Sequence, residues 1–259
     1  MSQEPTAAPT SEADIEALVL DFGGVLLTVE DREVYNNAML TVAQKLGLET
    51  GAAAKSRVYD DKREWGQAKI GRMTGDEMFT SICNSHGVTD TSTISAIGQA
   101  VRVVGRGIHP AMQQLLLDVQ PLRKEKGMKV IVLSNYETDL DMVLGMLPIL
   151  EGKFDFVLNS ASLGVAKPTP AVYDITAERL GMVGREKHIL FVDDKGRNTQ
   201  VAADKGWATI VFKDKMADVQ RIRQRIGLPP VEDAAVLSGS SQLCSSRSSE
   251  NLNASWASN

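Results

Sequence analysis

Short apolar runs alternate with amphipathic stretches along residues 17–213, and the spacing of the apolar positions changes twice. The first run, Ala17-Leu18-Val19-Leu20, ends at Asp21 and passes into Phe22-Gly23-Gly24-Val25-Leu26-Leu27, the pattern of a buried strand opening into a glycine-rich turn. From Val29 to Ile108 the apolar positions recur at helical spacing, which predicts helices over 31–46, 52–65, 74–86 and 92–103. Thr74 and Glu77 stand three apart ahead of Met78, Phe79 and Ile82, a capping box that starts the third of these helices. After Pro110 the pattern predicts helix 111–124, strand 129–133, helix 138–147, strand 154–158, helix 171–180, strand 188–192, helix 198–205 and strand 208–212. Alternation of this kind implies a parallel sheet flanked by helices, with 29–108 inserted as a helical unit.

Composition narrows the class of function. At 43% hydrophobic and 24% charged residues, the chain has material for one sizeable core and a smaller second unit. Its 28 Lys and Arg face 33 Asp and Glu, a net charge of −5, which argues against nucleic acid as a partner. The apolar runs fall well short of the roughly 18 to 20 residues of a membrane span. Residues 1–13, with Glu4, Pro5, Pro9 and Glu12, have neither the basic start nor the apolar stretch of a secretory signal. Cys83 and Cys244 are too far apart to suggest a disulfide framework or a zinc site. A cytoplasmic location is therefore expected, and residues 1–13 and the serine-rich 231–259 are expected to be disordered tails.

In a parallel sheet, chemistry gathers beyond the carboxyl ends of the strands. Those ends carry Asp21 after the first strand, Ser134-Asn135 after the second, Lys167 in the loop beyond the third, and Asp193-Asp194 after the fourth. Each alone has an ordinary reading as a cap or a solvated side chain, but together they match the needs of phosphoryl transfer. A carboxylate approaching an anionic phosphoryl group requires a divalent cation and a fixed positive charge. Asp21 and Asp194 offer hard oxygen ligands to Mg²⁺, Lys167 is the fixed charge, and Ser134 and the Asn135 amide are neutral donors for phosphoryl oxygens.

Four segments, Leu18-Val19-Leu20-Asp21-Phe22-Gly23-Gly24-Val25-Leu26, Val130-Ile131-Val132-Leu133-Ser134-Asn135, Gly164-Val165-Ala166-Lys167-Pro168 with Tyr173 following, and Ile189-Leu190-Phe191-Val192-Asp193-Asp194, resemble in order the four motifs of the haloacid dehalogenase superfamily. The resemblance covers most of 17–213, and the insert lies where that family carries its cap. Gly71-Arg72-Met73-Thr74-Gly75-Asp76-Glu77-Met78-Phe79 further resembles the cap segment of the branch holding the epoxide-hydrolase phosphatase domain and sugar-1-phosphatases. It implies a Rossmann-like α/β core of 14–28 and 109–230, a helical cap of 29–108, and a small phosphorylated metabolite as substrate. It further implies Asp21 as the nucleophile that becomes a phosphoaspartate. Mg²⁺ would be held by Asp21, the Gly23 carbonyl and Asp194, with Asp193 beside it to orient the site or join the ligands. Ser134, Asn135, Lys167 and Gly24 would contact the phosphoryl group.

The resemblance breaks at Gly23, where many phosphatases of the family carry a second aspartate as general acid and base. Three outcomes stay open: a substrate with a good leaving group such as a sugar-1-phosphate or diphosphate, an acid recruited from the cap or the substrate, or a non-catalytic binding or regulatory protein; within the family the competing reading is a metal-independent 2-haloacid dehalogenase. The paired Asp193-Asp194 favours a metal site over a metal-free dehalogenase. Asp60-Asp61-Lys62-Arg63-Glu64 reads as the charged face of a cap helix, and Arg102 and Arg106 as solvent-exposed, though both would suit a second anionic group. His86, His109 and His188 lack metal-ligand spacing; His109 is expected near the hinge of the insert.

Overall fold

The computed structural model describes residues 14–231; the expectations for both tails, and Cys244, lie outside this range. Five parallel strands form the central sheet. In chain order the strands of the protein are β1 (Ala17–Leu20), β2 (Leu27–Val29), β3 (Arg106–Ile108), β4 (Lys129–Ser134), β5 (Phe156–Asn159), β6 (Ile189–Asp193) and β7 (Ala208–Val211). The sheet order is β5-β4-β1-β6-β7, so β1 is central and pairs with β4 on one side and β6 on the other.

Because strand side chains alternate between faces, the apolar runs feed two separate cores. Leu18, Leu20, Val130, Val132, Leu190 and Val192 pack under the helices Pro110–Asp118 and Lys215–Arg225. Ala17, Val19, Ile131, Leu133, Ile189 and Phe191 pack on the other face against Pro170–Leu180 and Trp207. A strand buried on both faces must be a continuous apolar run, which is why these segments stood out. Register then places the chemistry. Leu20 lies level with Val132 and Val192, so Asp21, the next residue, falls between the ends of β4 and β6 beside Asp193. Its N–H still bonds Val192 O at 2.9 Å.

The insert holds helices α1 (Arg32–Lys45), α2 (Gly51–Val58), α3 (Glu64–Ala68), α4 (Gly75–Ser85) and α5 (Thr91–Arg102) around its own apolar cluster, including Met39, Val42, Met78, Phe79, Ile82 and Ile97. The capping box is formed as expected, Thr74 and Glu77 each bonding the other's backbone N–H. The insert is entered through β2 and left through β3, an antiparallel ribbon pairing Leu27 with Ile108 and Val29 with Arg106.

Two expected helices are broken. The one expected over 52–65 stops at Val58, because Asp60 accepts the Lys62 N–H at 2.9 Å and holds a turn before α3. The one expected over 111–124 divides at Val119, since Pro121 has no N–H to continue the ladder. Among the described residues no helix is long and apolar enough to cross a membrane.

Candidate active site

Asp21, Lys167 and Asp193 form a buried charge cluster at the end of β1. Lys167 Nζ lies 2.8 Å from Asp21 Oδ1, 2.7 Å from Asp193 Oδ2 and 2.6 Å from the Leu133 carbonyl. The three residues are only 5%, 2% and 0% exposed, so charge is balanced within the cluster rather than by water. Burial pushes the Asp21 carboxyl up to about 7; Lys167 opposes that shift and Asp193 reinforces it. Burial works against the Lys167 ammonium, but the two carboxylates outweigh it and hold it above the ordinary lysine value. Asp21 Oδ1 also accepts the Phe22 N–H at 2.8 Å, so both of these contacts fall on one oxygen.

The adjacent acids divide the work. Asp193 has both oxygens engaged: Oδ2 by Lys167, Oδ1 by the Lys195 N–H at 2.8 Å, and both by Asn198 Nδ2 at 2.9 Å. Asp194 Oδ1, by contrast, is buried without a hydrogen-bond partner, and burial raises that carboxyl's pKa. A buried carboxylate oxygen left unpaired is costly unless a cation meets it. One oxygen each from Asp21, Asp193 and Asp194 lie within 4.8 Å of one another, a hard donor set of the kind Mg²⁺ takes. The residues present therefore fit a divalent ion.

The apolar pattern assigns Asn198 no role in the site. That residue clamps Asp193 through its side chain and accepts the Tyr173 hydroxyl on its carbonyl at 2.8 Å. An amide in the first turn of the helix after a paired acid is the signal that marks it.

The glycines after Asp21 have different tasks. Gly24 has φ +93°, and a Cβ on it would lie 2.8 Å from Asp194 Cγ. Its N–H donates to the Leu27 carbonyl at 2.9 Å, so the expected phosphoryl contact does not come from that group; Gly24 instead makes room for Asp194. Gly24→Ala is expected to cost about 1 to 2 kcal/mol in backbone strain and to displace Asp194. Thermal melts should show a lower Tm and a smaller rise on adding Mg²⁺. The turn is closed by the Leu27 N–H on Phe22 O at 2.8 Å, and among the described residues no backbone N–H bonds the Gly23 carbonyl.

Ser134 ends β4, buried opposite Asn159. The Asn135 side chain faces the Lys167 backbone, donating to its carbonyl at 2.8 Å and accepting its N–H at 2.9 Å. It thus fixes the loop that delivers Lys167, and its main-chain N–H remains as a donor for the site.

The insert's side of the site corrects the reading of both arginines. Arg102 is buried: Nε meets Glu137 Oε1 at 2.8 Å, a terminal nitrogen meets Asp139 Oδ2 at 2.5 Å, and the guanidinium lies 4.7 Å over the Phe79 ring. Arg106 is half-buried, 5.3 Å over the Tyr35 ring. A reading of the chain alone leaves both outside because it does not register the loop after β4, which docks on this surface. Gly75 donates to Thr138 Oγ1 at 3.2 Å, and Ser160 Oγ to the Lys69 carbonyl at 2.5 Å. Asp61 pairs with Lys69 at 2.5 Å and Arg197 at 3.6 Å, and Glu64 with Arg57 at 2.8 Å; the acidic run is engaged in ion pairs rather than in a second metal cluster. His109 caps the helix Pro110–Asp118 directly after β3. Phe22, Tyr136, Trp65 and Tyr59 meet edge to face at centroid distances of 5.9, 6.5 and 5.0 Å in that order, an aromatic wall running from the residue after Asp21 into the insert.

Residues 15–206 match the haloacid dehalogenase-like hydrolase family. Bifunctional epoxide hydrolase 2 of Rattus norvegicus is 27% identical over 116 residues, covering 43% of this chain and 21% of that protein. The chain spans about a fifth of the length of the first curated relatives it matches. A haloacid dehalogenase-family enzyme of Bacteroides thetaiotaomicron, in complex with magnesium and inorganic phosphate, superposes with a TM-score of 0.61 at 24% identity, covering 77% of this chain and 94% of that one. L-2-haloacid dehalogenase of Xanthobacter autotrophicus superposes with a TM-score of 0.54 at 21% identity, covering 80% and 82%. Both structures share the fold with this chain.

Proposed function

Since the chain belongs to the haloacid dehalogenase-like hydrolase family, we propose that it is a magnesium-dependent phosphatase acting on a small phosphate ester or diphosphate, with 29–108 serving as a cap over the site. The observation that carries this reading is the buried, unpartnered Asp194 Oδ1 beside Asp21. A metal-free dehalogenase has no use for it. The Bacteroides neighbour that holds magnesium and phosphate supports the same choice.

In this reading Asp21 attacks phosphorus through Oδ2, the oxygen free of the Phe22 and Lys167 contacts. The phosphorus–oxygen ester bond breaks and its electron pair leaves with the departing oxygen. Lys167 offsets the charge that gathers on Asp21 and the phosphoryl oxygens, while the Ser134 hydroxyl and the Asn135 main-chain N–H donate to those oxygens. Water then opens the phosphoaspartate. Mg²⁺, held by Asp21, Asp194 and the Gly23 carbonyl, would supply the positive charge that lets two anions meet. Asp193 acts by holding Lys167, since its oxygens are already spent.

Gly23 leaves the departing oxygen without a proton donor at this position, which favours a leaving group that departs as an anion. Nothing lies within 4 Å of where a Cβ would sit on Gly23, and its φ is not left-handed, so a larger side chain fits. Gly23→Asp is expected to speed hydrolysis of alkyl phosphates by about a hundredfold and that of aryl phosphates much less. Equal effects on both would show that position 23 does not face the leaving group. The same glycine is what favours the dehalogenase reading, because halide departure needs no proton.

The deciding experiment is release of phosphate from aryl, sugar, nucleotide and prenyl phosphates, with Mg²⁺ or with EDTA, alongside halide release from 2-chloroacids. Metal-dependent phosphate release supports the proposal; halide release indifferent to EDTA would replace it. The pH dependence carries a sign. Asp21 titrates near 7 in the fold against 3.8 ordinarily, so the metal-free folded state keeps a proton that the unfolded chain has released. Stability of the metal-free protein from this group should therefore fall as pH rises through that interval. Mg²⁺ takes the carboxylate form, so its apparent affinity should drop about tenfold per pH unit below about pH 7 and level off above it. Calorimetric Mg²⁺ titrations on both sides of that value check this.

A further inference from the structure

Arg106 is a cation without an acid. Among the described residues no carboxylate lies within ion-pair distance of it, whereas Arg102, four positions earlier, meets Glu137 and Asp139. Burial weighs against the Arg106 charge, but the tyrosines that face it, Tyr59, Tyr35 and Tyr136, outweigh that effect and hold the group charged. Two polar atoms at this spot are buried without hydrogen-bond partners: Arg106 Nε and the Tyr35 hydroxyl. A half-buried guanidinium normally has its donors met by an anion, and here two unmet groups able to donate lie together on residues of the insert and its ribbon.

Their position relates them to Asp21. The aromatic wall runs from Phe22 through Tyr136 to Trp65 and Tyr59, and Arg106 faces two of its rings, Tyr136 next to Phe22 and Tyr59 at the insert end. A molecule whose phosphoryl group sits at Asp21 and whose body lies along this wall brings its other end to Arg106.

We propose that Arg106 and Tyr35 form a second anion subsite, so that the substrate is a phosphate ester whose leaving portion carries an apolar body and a further anionic group, either a carboxylate or a second phosphate. This rests on the phosphatase reading above.

The test uses non-hydrolysable ligands and the full chain with Mg²⁺: benzylphosphonate, 4-carboxybenzylphosphonate and 1,4-xylylenebisphosphonate, titrated by calorimetry into the wild type, R106Q, R106K and Y35F. At least one of the doubly anionic ligands is expected to bind about tenfold tighter than benzylphosphonate. That margin should fall to within about twofold in R106Q, be partly kept in R106K and shrink in Y35F. Which ligand shows the margin tells carboxylate from phosphate. Equal affinity for all three ligands in the wild type, or a margin that survives R106Q, overturns the subsite. Melting curves establish that the variants fold. An Arg106-dependent margin without phosphate release keeps the subsite and drops the reaction. Phosphate release without the margin does the reverse, and no binding by any ligand defeats both.

Discussion

Asp21→Asn is expected to reduce phosphate release by on the order of 10⁴-fold or more while leaving the protein folded. The amide keeps the shape of the carboxylate, but its oxygen is a poor nucleophile and its nitrogen is not one at physiological pH. The charge cluster survives the change: Lys167 retains Asp193 Oδ2 at 2.7 Å and the Leu133 carbonyl at 2.6 Å. Asp21 resists ionisation in the metal-free fold, its carboxyl held near 7, so removing its charge also removes an energetic burden. At about pH 8 without Mg²⁺ the variant should melt at or above the wild-type temperature, and addition of Mg²⁺ should raise its Tm less. Full activity in the variant would mean that Asp21 is not the attacking group.

Lys167→Met is expected to cost about 3 to 5 kcal/mol of stability and most of the activity. Its ammonium is the counter-charge to two carboxylates that are 5% and 0% exposed. A methionine fills similar volume, so the loss measures charge rather than a cavity. The sign with pH follows from Asp21: as pH falls through about 7 that carboxyl takes up a proton, and the penalty for the missing ammonium should shrink. Urea unfolding at about pH 8 and about pH 6 checks this. Combining Lys167→Met with Asp21→Asn should recover part of the lost stability, because the pair shares one interaction. Additive losses in the double variant would show that the two side chains are not coupled.

The residues at the strand ends were legible because a doubly buried parallel strand is a bare apolar run, and the first polar residue after it marks the edge of the sheet. Parallel register then brings Asp21 level with Asp193, a relation between positions 172 residues apart that the alternation of strands and helices implies without naming distances. The insert was legible from its change of period, and the start of α4 from Thr74 and Glu77. The β2–β3 ribbon was not, since each strand is three residues long and its partner lies on the far side of five helices. The reading of Arg102 and Arg106 failed for a related reason. Helical spacing says which face of a helix is apolar, but Glu137 and Asp139 reach Arg102 from the core, and Tyr35 reaches Arg106 from the opposite end of the insert. Asn135 was legible from its place after β4, but its bonds to the Lys167 backbone, and those of Asn198 to Asp193, depend on loops whose path no local pattern describes.

The central claim is that Asp21 carries the phosphoryl group during turnover. The most direct measurement is acid quenching of the enzyme in the steady state, followed by peptide mass spectrometry of the segment that contains Asp21. A phosphoryl adduct on Asp21 is expected to form with Mg²⁺ and substrate and to be absent with EDTA and in Asp21→Asn. Rapid phosphate release with no adduct at any quench time, or an adduct on another residue, would contradict it.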